Sequence, residues 1–235
     1  ILVENPNYNF SGNSVFASLD VSATDRGAIS GYESTKTGAS LGTSFEQYQN
    51  VYLSPYISGA FEDITVQSTA SDSVKKMKGN FTNVDFGYSI TWDKRNQPFQ
   101  PTAGYRTRFE QQLPILQDSS SIINGIDVAR YHAISEDMIT SLKFKAKSIH
   151  GVDDDVRLTN RLFLPSKSLR GFNVRKTGPK DGQDFIGGNY IASLGVEAQL
   201  PNLLPESYQT DFSIFLDTAN VWSVDYSDSV DDTNL

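Results

Sequence analysis

From Thr82 to Trp92 the chain alternates with a period of two. Val84, Phe86, Tyr88, Ile90 and Trp92 fall on one face; Asn83, Asp85, Gly87, Ser89 and Thr91 fall on the other. Successive side chains of an extended strand point to opposite sides, so this is a strand with one apolar and one polar face. The pattern recurs. Val15, Ala17, Leu19 and Val21 oppose Ser18, Asp20 and Ser22, and Ala39, Leu41, Thr43 and Phe45 oppose Gly38, Ser40, Gly42 and Ser44. Tyr105, Thr107, Phe109 and Leu113 oppose Arg106, Arg108, Glu110 and Gln112. Leu142, Phe144 and Ala146 oppose Lys143, Lys145 and Lys147. Tyr190, Ala192, Leu194, Val196 and Leu200 oppose Ser193, Gly195, Glu197 and Gln199. The stretches 51–61 and 121–133 alternate less cleanly, and Arg130 breaks its apolar face.

These segments give about nine strands of the roughly 9–11 residues that a tilted membrane strand needs, with Ile1–Val3 as the stub of a tenth. Short connections are expected at 4–13, 46–50, 93–103, 134–137 and 201–208; longer ones at 23–35, 63–79, 151–187 and from 223 onward, with 114–120 the shortest member of the long set. Short turns at one end and long loops at the other suit an outer-membrane barrel, an all-β antiparallel fold. A soluble β-sandwich with an adhesive role also alternates, and is the competing class. Charged residues on one face suit solvent or a wet lumen alike. Tyr52, Tyr56, Trp92, Tyr105 and Trp222 near strand ends suit an interfacial aromatic girdle.

Composition narrows the field. With 11 Tyr, 14 Phe and no Cys, the chain favours strands and holds neither disulfide nor thiolate metal site. A net charge of −8 argues against nucleic acid as a partner, which needs clustered Lys and Arg. The acidic excess is local, in Asp153-Asp154-Asp155 and in the tail from Asp225 to Asp232. Ile1 stands in an extended segment rather than a signal peptide, and no apolar run approaches the roughly 18 residues of a membrane helix. A mean hydropathy of −0.38 would normally suit a soluble protein, but alternating barrel strands average out.

Three segments carry a family resemblance. The first is Asp93-Lys94-Arg95 followed by Phe99-Gln100-Pro101-Thr102-Ala103-Gly104. The second is Leu169-Arg170-Gly171-Phe172 followed by Gly178-Pro179-Lys180-Asp181 and Gly187-Gly188-Asn189. The third is Phe215-Leu216-Asp217-Thr218-Ala219-Asn220-Val221-Trp222. Together, in this order, they resemble the Omp85-type superfamily and its BamA-like outer-membrane assembly factors. The resemblance covers essentially the whole chain. It implies a barrel of about sixteen strands, of which this chain would hold about nine to ten, from near the end of the fourth to the thirteenth. Residues 1–235 would then be part of a surface-antigen-type barrel domain lacking the first strands, the last strands and the periplasmic POTRA domains. Such a sheet cannot close on itself, so the chain is expected to be a fragment.

The resemblance also implies roles. Asp93, Arg95, Phe99, Pro101 and Gly104 would form a short periplasmic turn, and 151–187 a long extracellular loop folding into the lumen. Parity alone puts Glu197 and Asp217 on the polar face, where two nearby carboxylates repel unless a cation intervenes. The family's loop tip lies inside the barrel, which makes Arg170 their counter-ion, with Gly171 allowing a tight turn and Phe172 as an apolar anchor. The implied function is folding and inserting outer-membrane proteins in a Gram-negative bacterium, using a weak seam between first and last strands as a template; neither seam strand is present. Implied partners are outer-membrane lipid and lipopolysaccharide, unfolded outer-membrane clients, and assembly lipoproteins reached through POTRA domains. A two-partner secretion transporter of the same superfamily is the alternative. Neither enzyme chemistry nor a cofactor, ATP included, is implied.

Other constellations are thin. His132 and His150 are too far apart in sequence, with no acid pattern around them, to suggest zinc. Asp153-Asp154-Asp155 could bind a divalent cation or bridge lipopolysaccharide, but reads more simply as a solvated loop. No helix follows the glycines at 178–188 to cradle a phosphate, and no Ser-His-Asp arrangement emerges. Lys143, Lys145 and Lys147 are expected to balance lumen acids such as Asp85 and Glu110.

Overall fold

The computed structural model describes residues 1–118, 120–152, 155–201, 203–204 and 210–225. Asp153, Asp154, most of the 201–208 turn and the acidic tail beyond Asp225 lie outside the described residues. Ten strands form one antiparallel sheet in the order β1-β2-β3-β4-β5-β6-β7-β8-β11-β12. They are β1 (Leu2–Asn5), β2 (Ser14–Asp25), β3 (Tyr32–Tyr48), β4 (Val51–Val66), β5 (Gly79–Asp93), β6 (Ala103–Gln117), β7 (Ser121–Ser135), β8 (Met138–Gly151), β11 (Tyr190–Leu200) and β12 (Phe212–Trp222). Between β8 and β11 the chain makes a separate small hairpin of β9 (Lys180–Asp181) and β10 (Asp184–Phe185). Consecutive strands are neighbours throughout, except that β8 pairs with β11 across residues 152–189. Among the described residues only this small hairpin stands beside the ten-stranded sheet, which is not the paired-sheet packing of a sandwich.

The two faces are those of the alternation. On the outer face large apolar side chains stand exposed, Val21 at 75 % and Leu216 at 73 %. The inner face carries the polar set, with Asn83, Asp85 and Ser89 buried. Aromatics mark both ends of the outer face. Trp92 meets Tyr105 edge-on at 5.1 Å with Lys94 over the Trp92 ring, and His150, Tyr190 and Trp222 form a chain of ring contacts at the other end. Tyr52 and Tyr56 are not in these girdles. Their register partners Thr91 and Gly87 belong to the inner face, where the Tyr56 ring lies against Gly87 and its Cβ, with the Phe16 ring, against Gly42. The uneven outer face of β7 has a local answer: Tyr88 donates to Gln111 (2.9 Å), which donates to Asn124 (2.7 Å), so three polar side chains satisfy one another across three strands. Arg130 pairs with Tyr105 near the turn end, where a long side chain can reach the headgroup region.

The strands outrun the expected lengths, reaching 17 residues in β3 and 16 in β4. The loop expected at 23–35 shrinks to residues 26–31 around the short helix α1 (Gly27–Ser30), because Thr24↔Ser34 and Asp25↔Glu33 continue the ladder. Likewise the 63–79 link is only 67–78, containing α2 (Asp72–Lys75), and 114–120 is only 118–120. Polar residues beyond the lipid zone still pair their backbones, so polarity alone misplaced these ends. Pro114 lies within β6 at a bulge opposite Val84/Asp85, one of the few strand positions proline tolerates.

The loop between β8 and β11 packs onto the inner face rather than outward. One cluster buries Val156, Leu162, Leu164 and Val174 against the inner-face residues Ile149, Ile191 and Val221. A second buries Leu158 and Ile186 under Tyr32, Ile64, Ala70 and Val74, joining this loop to the two neighbouring hairpin tips. Ser30 donates to the Phe185 carbonyl, and Asp184 accepts the Ser71 amide, tying the tips together.

Candidate functional site: the loop tip on the inner wall

β11 and β12 pair so that Gly195 faces Asp217 and Glu197 faces Phe215. Parity sends Glu197, Phe215 and Asp217 to the inner face. Gly195 leaves the space Asp217 needs, since a Cβ there would stand 3.0 Å from the carboxylate. Into this corner comes Arg170. Its Nε and Nη2 donate to the two Asp217 carboxylate oxygens at 2.7 and 2.8 Å, and its backbone N–H adds a third bond at 3.1 Å. Nη1 lies 3.3 Å from Glu197 Oε1, and the guanidinium stacks on the Phe215 ring at 3.6 Å from its centroid. Planar fork, carboxylate and aromatic face together define a site that lysine would not satisfy. The hydrogen bonds to Asp217 hold the Arg170 pKa above its usual value, so the cation is fixed.

The structure therefore brings Arg170, Glu197 and Asp217 together. Gly171 takes φ +85, the left-handed region that glycine enters without strain. Phe172 differs from expectation: 71 % exposed, it anchors nothing on the described wall. The left-handed turn at Gly171 leads the chain away, and the apolar hold comes from Leu169, packed on the cluster of Ile149 and Val221, and from Phe215. Phe215 was legible as an aromatic on the polar face of its strand. Lys143, bonded to Glu197 at 3.2 Å, was legible only as one member of a basic row.

That row is neutralised pairwise. Lys145 meets Asp127 at 3.1 Å and Lys147 meets Glu110 at 3.2 Å, with Arg108 3.6 Å from the same glutamate. None of the three lysine ion pairs goes to Asp85, which accepts from Gln117. Beneath the loop tip a cavity of about 890 Å³ is lined by Arg106, Arg108, Lys143, Lys145, Arg170 and Asp217 among others.

The 94–102 turn is a compact knot. Arg95 forks onto Asp93 at 2.8 and 2.6 Å and donates to the Pro98 carbonyl, and the Asn96 side chain bonds Thr102 and Ala103. Gly104, at φ +95, lies so close to the Lys94 carbonyl that any Cβ would overlap it. Pro101 sits inside the turn, while Phe99 is exposed. His132 and His150 stay apart; the latter bonds Tyr190 at 2.8 Å. Asp155 lies beside His150 and Asp225 in a second, open pocket.

A ten-stranded antiparallel meander, apolar outside and charged inside, with a long loop bound to its inner face, is the wall of a membrane β-barrel. The chain belongs to the Omp85 superfamily, whose domain profile matches residues 3–234. Its relatives include the outer membrane protein assembly factor BamA of Neorickettsia risticii, 26 % identical over 200 residues, covering 83 % of this chain and 27 % of that protein. The human sorting and assembly machinery component 50 homolog is 24 % identical over 173 residues, covering 68 % of this chain and 36 % of its own length. The chain thus spans about a third or less of these relatives. Among solved structures, Haemophilus ducreyi BamA lacking POTRA domains 1–3 superposes with a TM-score of 0.82 at 19 % identity, over 94 % of this chain and 49 % of that one. CdiB from Acinetobacter baumannii gives 0.52 at 12 % identity, over 92 % of this chain and 37 % of the other. The sheet is part of a BamA-like outer-membrane β-barrel wall, not closed on itself.

Proposed function

We propose that the chain is the larger part of the barrel wall of an assembly factor that folds and inserts β-barrel proteins into the outer membrane. The observation that carries this reading is the loop fastened by Arg170 to Asp217 and Glu197 on the inner face of a BamA-like sheet. The names of the bacterial relative and of the human sorting and assembly machinery relative point the same way. The work is non-enzymatic: backbone edges offer pairing partners to an incoming strand, and no covalent bond changes. Among the described residues β1 and β12 are the outer strands of the sheet, and lipid cannot satisfy an open strand edge. Residues 152–189 act as the lumen-inserted extracellular loop, and the Asp93–Gly104 turn faces the periplasm. The partners are unfolded outer-membrane clients, lipid and lipopolysaccharide, and accessory lipoproteins bound through periplasmic domains.

The secretion transporter is the second reading, supported by the likeness to CdiB. The complete protein reconstituted in liposomes decides between them. An assembly factor accelerates the insertion of an urea-unfolded barrel client into the same bilayer. Passage of a polypeptide into the lumen of the liposome, without client insertion, would overturn the proposal in favour of secretion.

A further inference from the structure

The loop that carries Arg170 holds, nearer its start, a buried arginine seated on other strands. Arg157, 3 % exposed, lies over the Phe81 ring at 4.3 Å and donates through Nη2 to Asn83 at 2.6 Å. Two residues on, Thr159 donates to Glu62 at 3.0 Å. Glu62 and Phe81 are register partners on β4 and β5, and Asn83 follows Phe81 on the same face, so 157–159 seat on one stretch of inner wall. Leu158 between them is fully buried with Tyr32, Ile64, Val74 and Ile186. Burial pulls the Arg157 pKa down, and the carboxylates of Glu62, Asp118 and Asp85 oppose that pull. Withdrawing the guanidinium would leave Asn83 without its donor and the buried Glu62 and Asp85 without the nearby positive charge.

The second anchorage is remote from the first. In the sheet, β6, β7 and β8 separate β5 from β11. The segment from Arg157 to Arg170 therefore spans the inner side from β4–β5 to β11–β12. Midway, Arg161 bonds Asp225 at 2.5 Å, and Asp225 also accepts the Val156 amide at 2.7 Å, so the span is tied to the chain just beyond β12. Leu162 and Gly188 exchange backbone bonds at 2.9 and 3.0 Å, making the outgoing and returning limbs of the loop one body.

We infer that residues 157–170 form a cross-brace of the barrel, with Arg157 the positioning residue on the β4–β5 wall as Arg170 is on the β11–β12 wall. The brace sets the distance between two walls that no direct strand pairing joins. Release of the tip alone leaves the loop seated on β4–β5, and release of Arg157 alone leaves the tip bound but the walls uncoupled. This goes beyond the functional reading above and holds whether the barrel assembles or secretes proteins.

The test uses the complete protein in membranes, with spin labels on cysteines at the outer-face positions Ile57 of β4 and Leu194 of β11. A separate cysteine at Asn160 reports loop access. In Arg157→Met the inter-wall distance distribution broadens to about twice its width, and Asn160→Cys labels about tenfold faster, the factor expected when one local opening loses a net hydrogen bond's worth of stability. Protease protection around Arg170 is retained. Arg157→Gln, which keeps donors for Asn83, falls between; if Arg157→Met does not fold, Arg157→Gln gives the same two readings. An unchanged distance distribution in a folded Arg157 variant, or equal broadening in the control Lys176→Met, overturns the brace.

Discussion

Arg170 and Asp217 meet fork to fork across 47 residues of chain, with two near-parallel hydrogen bonds of 2.7 and 2.8 Å. The Asp217 side chain is only 5 % exposed while Arg170 lies over it. Removing the cation strands it. Arg170→Ala should lower stability by about 2–3 kcal/mol, less than a fully buried pair would lose because the arginine is itself partly exposed. The urea midpoint of the heat-modifiable folded band measures this. Arg170→Lys should recover less than half, since an ammonium can neither fork nor stack on Phe215; full recovery would mean that charge alone holds the tip.

Glycine at 104 is forced by the turn. Its φ of +95 and the overlap of any Cβ with the Lys94 carbonyl act together. Gly104→Ala should cost roughly 2 kcal/mol or more, given typical penalties for strained backbone. Asp93→Ala, which only frees the Arg95 fork, should cost about 1–2 kcal/mol. Refolding yield into detergent micelles ranks the two variants against the parent, and a smaller loss for Gly104→Ala than for Asp93→Ala would contradict the geometry.

Tyr56 fills the space that Gly42 and Gly87 leave on the inner face, with its own Cβ 2.7 Å from where a Gly42 Cβ would stand. Gly87→Ala should destabilise by about 1–3 kcal/mol through overpacking. Adding Tyr56→Ala should restore part of that loss, an interaction of the sign expected for residues in contact. Thermal midpoints of the single and double variants provide the check; strict additivity would separate the ring from the glycine.

Facing decides how a charge is tolerated. Leu194→Arg puts a cation on the outer face and should cost about 2–4 kcal/mol near the bilayer midplane. Ser193→Arg, one residue away on the charged inner face, should cost well under half as much. Comparable losses at both positions, read from denaturant midpoints in liposomes, would invert the assignment of the two faces.

The alternation at 82–92 and its repeats made the strand count and the facing legible, because a period of two is a direct image of the backbone. Glu197 and Asp217 followed from parity. Arg170 did not, since nothing local distinguishes a loop arginine that reaches a wall from one in water; it came from a resemblance. Strand ends were misjudged where Thr24, Asp25, Glu33 and Ser34 pair beyond the lipid zone, since there the ladder rather than hydropathy decides. Phe172 stands exposed because the left-handed turn at Gly171 separates it from the wall that Arg170 reaches, which residue type alone does not show. The inner-face apolar group of Ile149, Ile191 and Val221 escaped notice because it interrupts a polar row only near the loop end, where the returning chain covers it.

Every neighbouring pair in the sheet but one is a sequential hairpin; the β8–β11 joint alone must wait for residues 152–189 to be gathered in. Closing a long segment is entropically slower than zipping adjacent strands, and it precedes the reward of the contacts it enables. Strands β1 to β8 can thus assemble in sequence as one growing ribbon, while β11 and β12 join late. The arginine at the loop tip finds its acid only after that late joint has formed, which makes the ion pair a report that the ribbon was assembled in register.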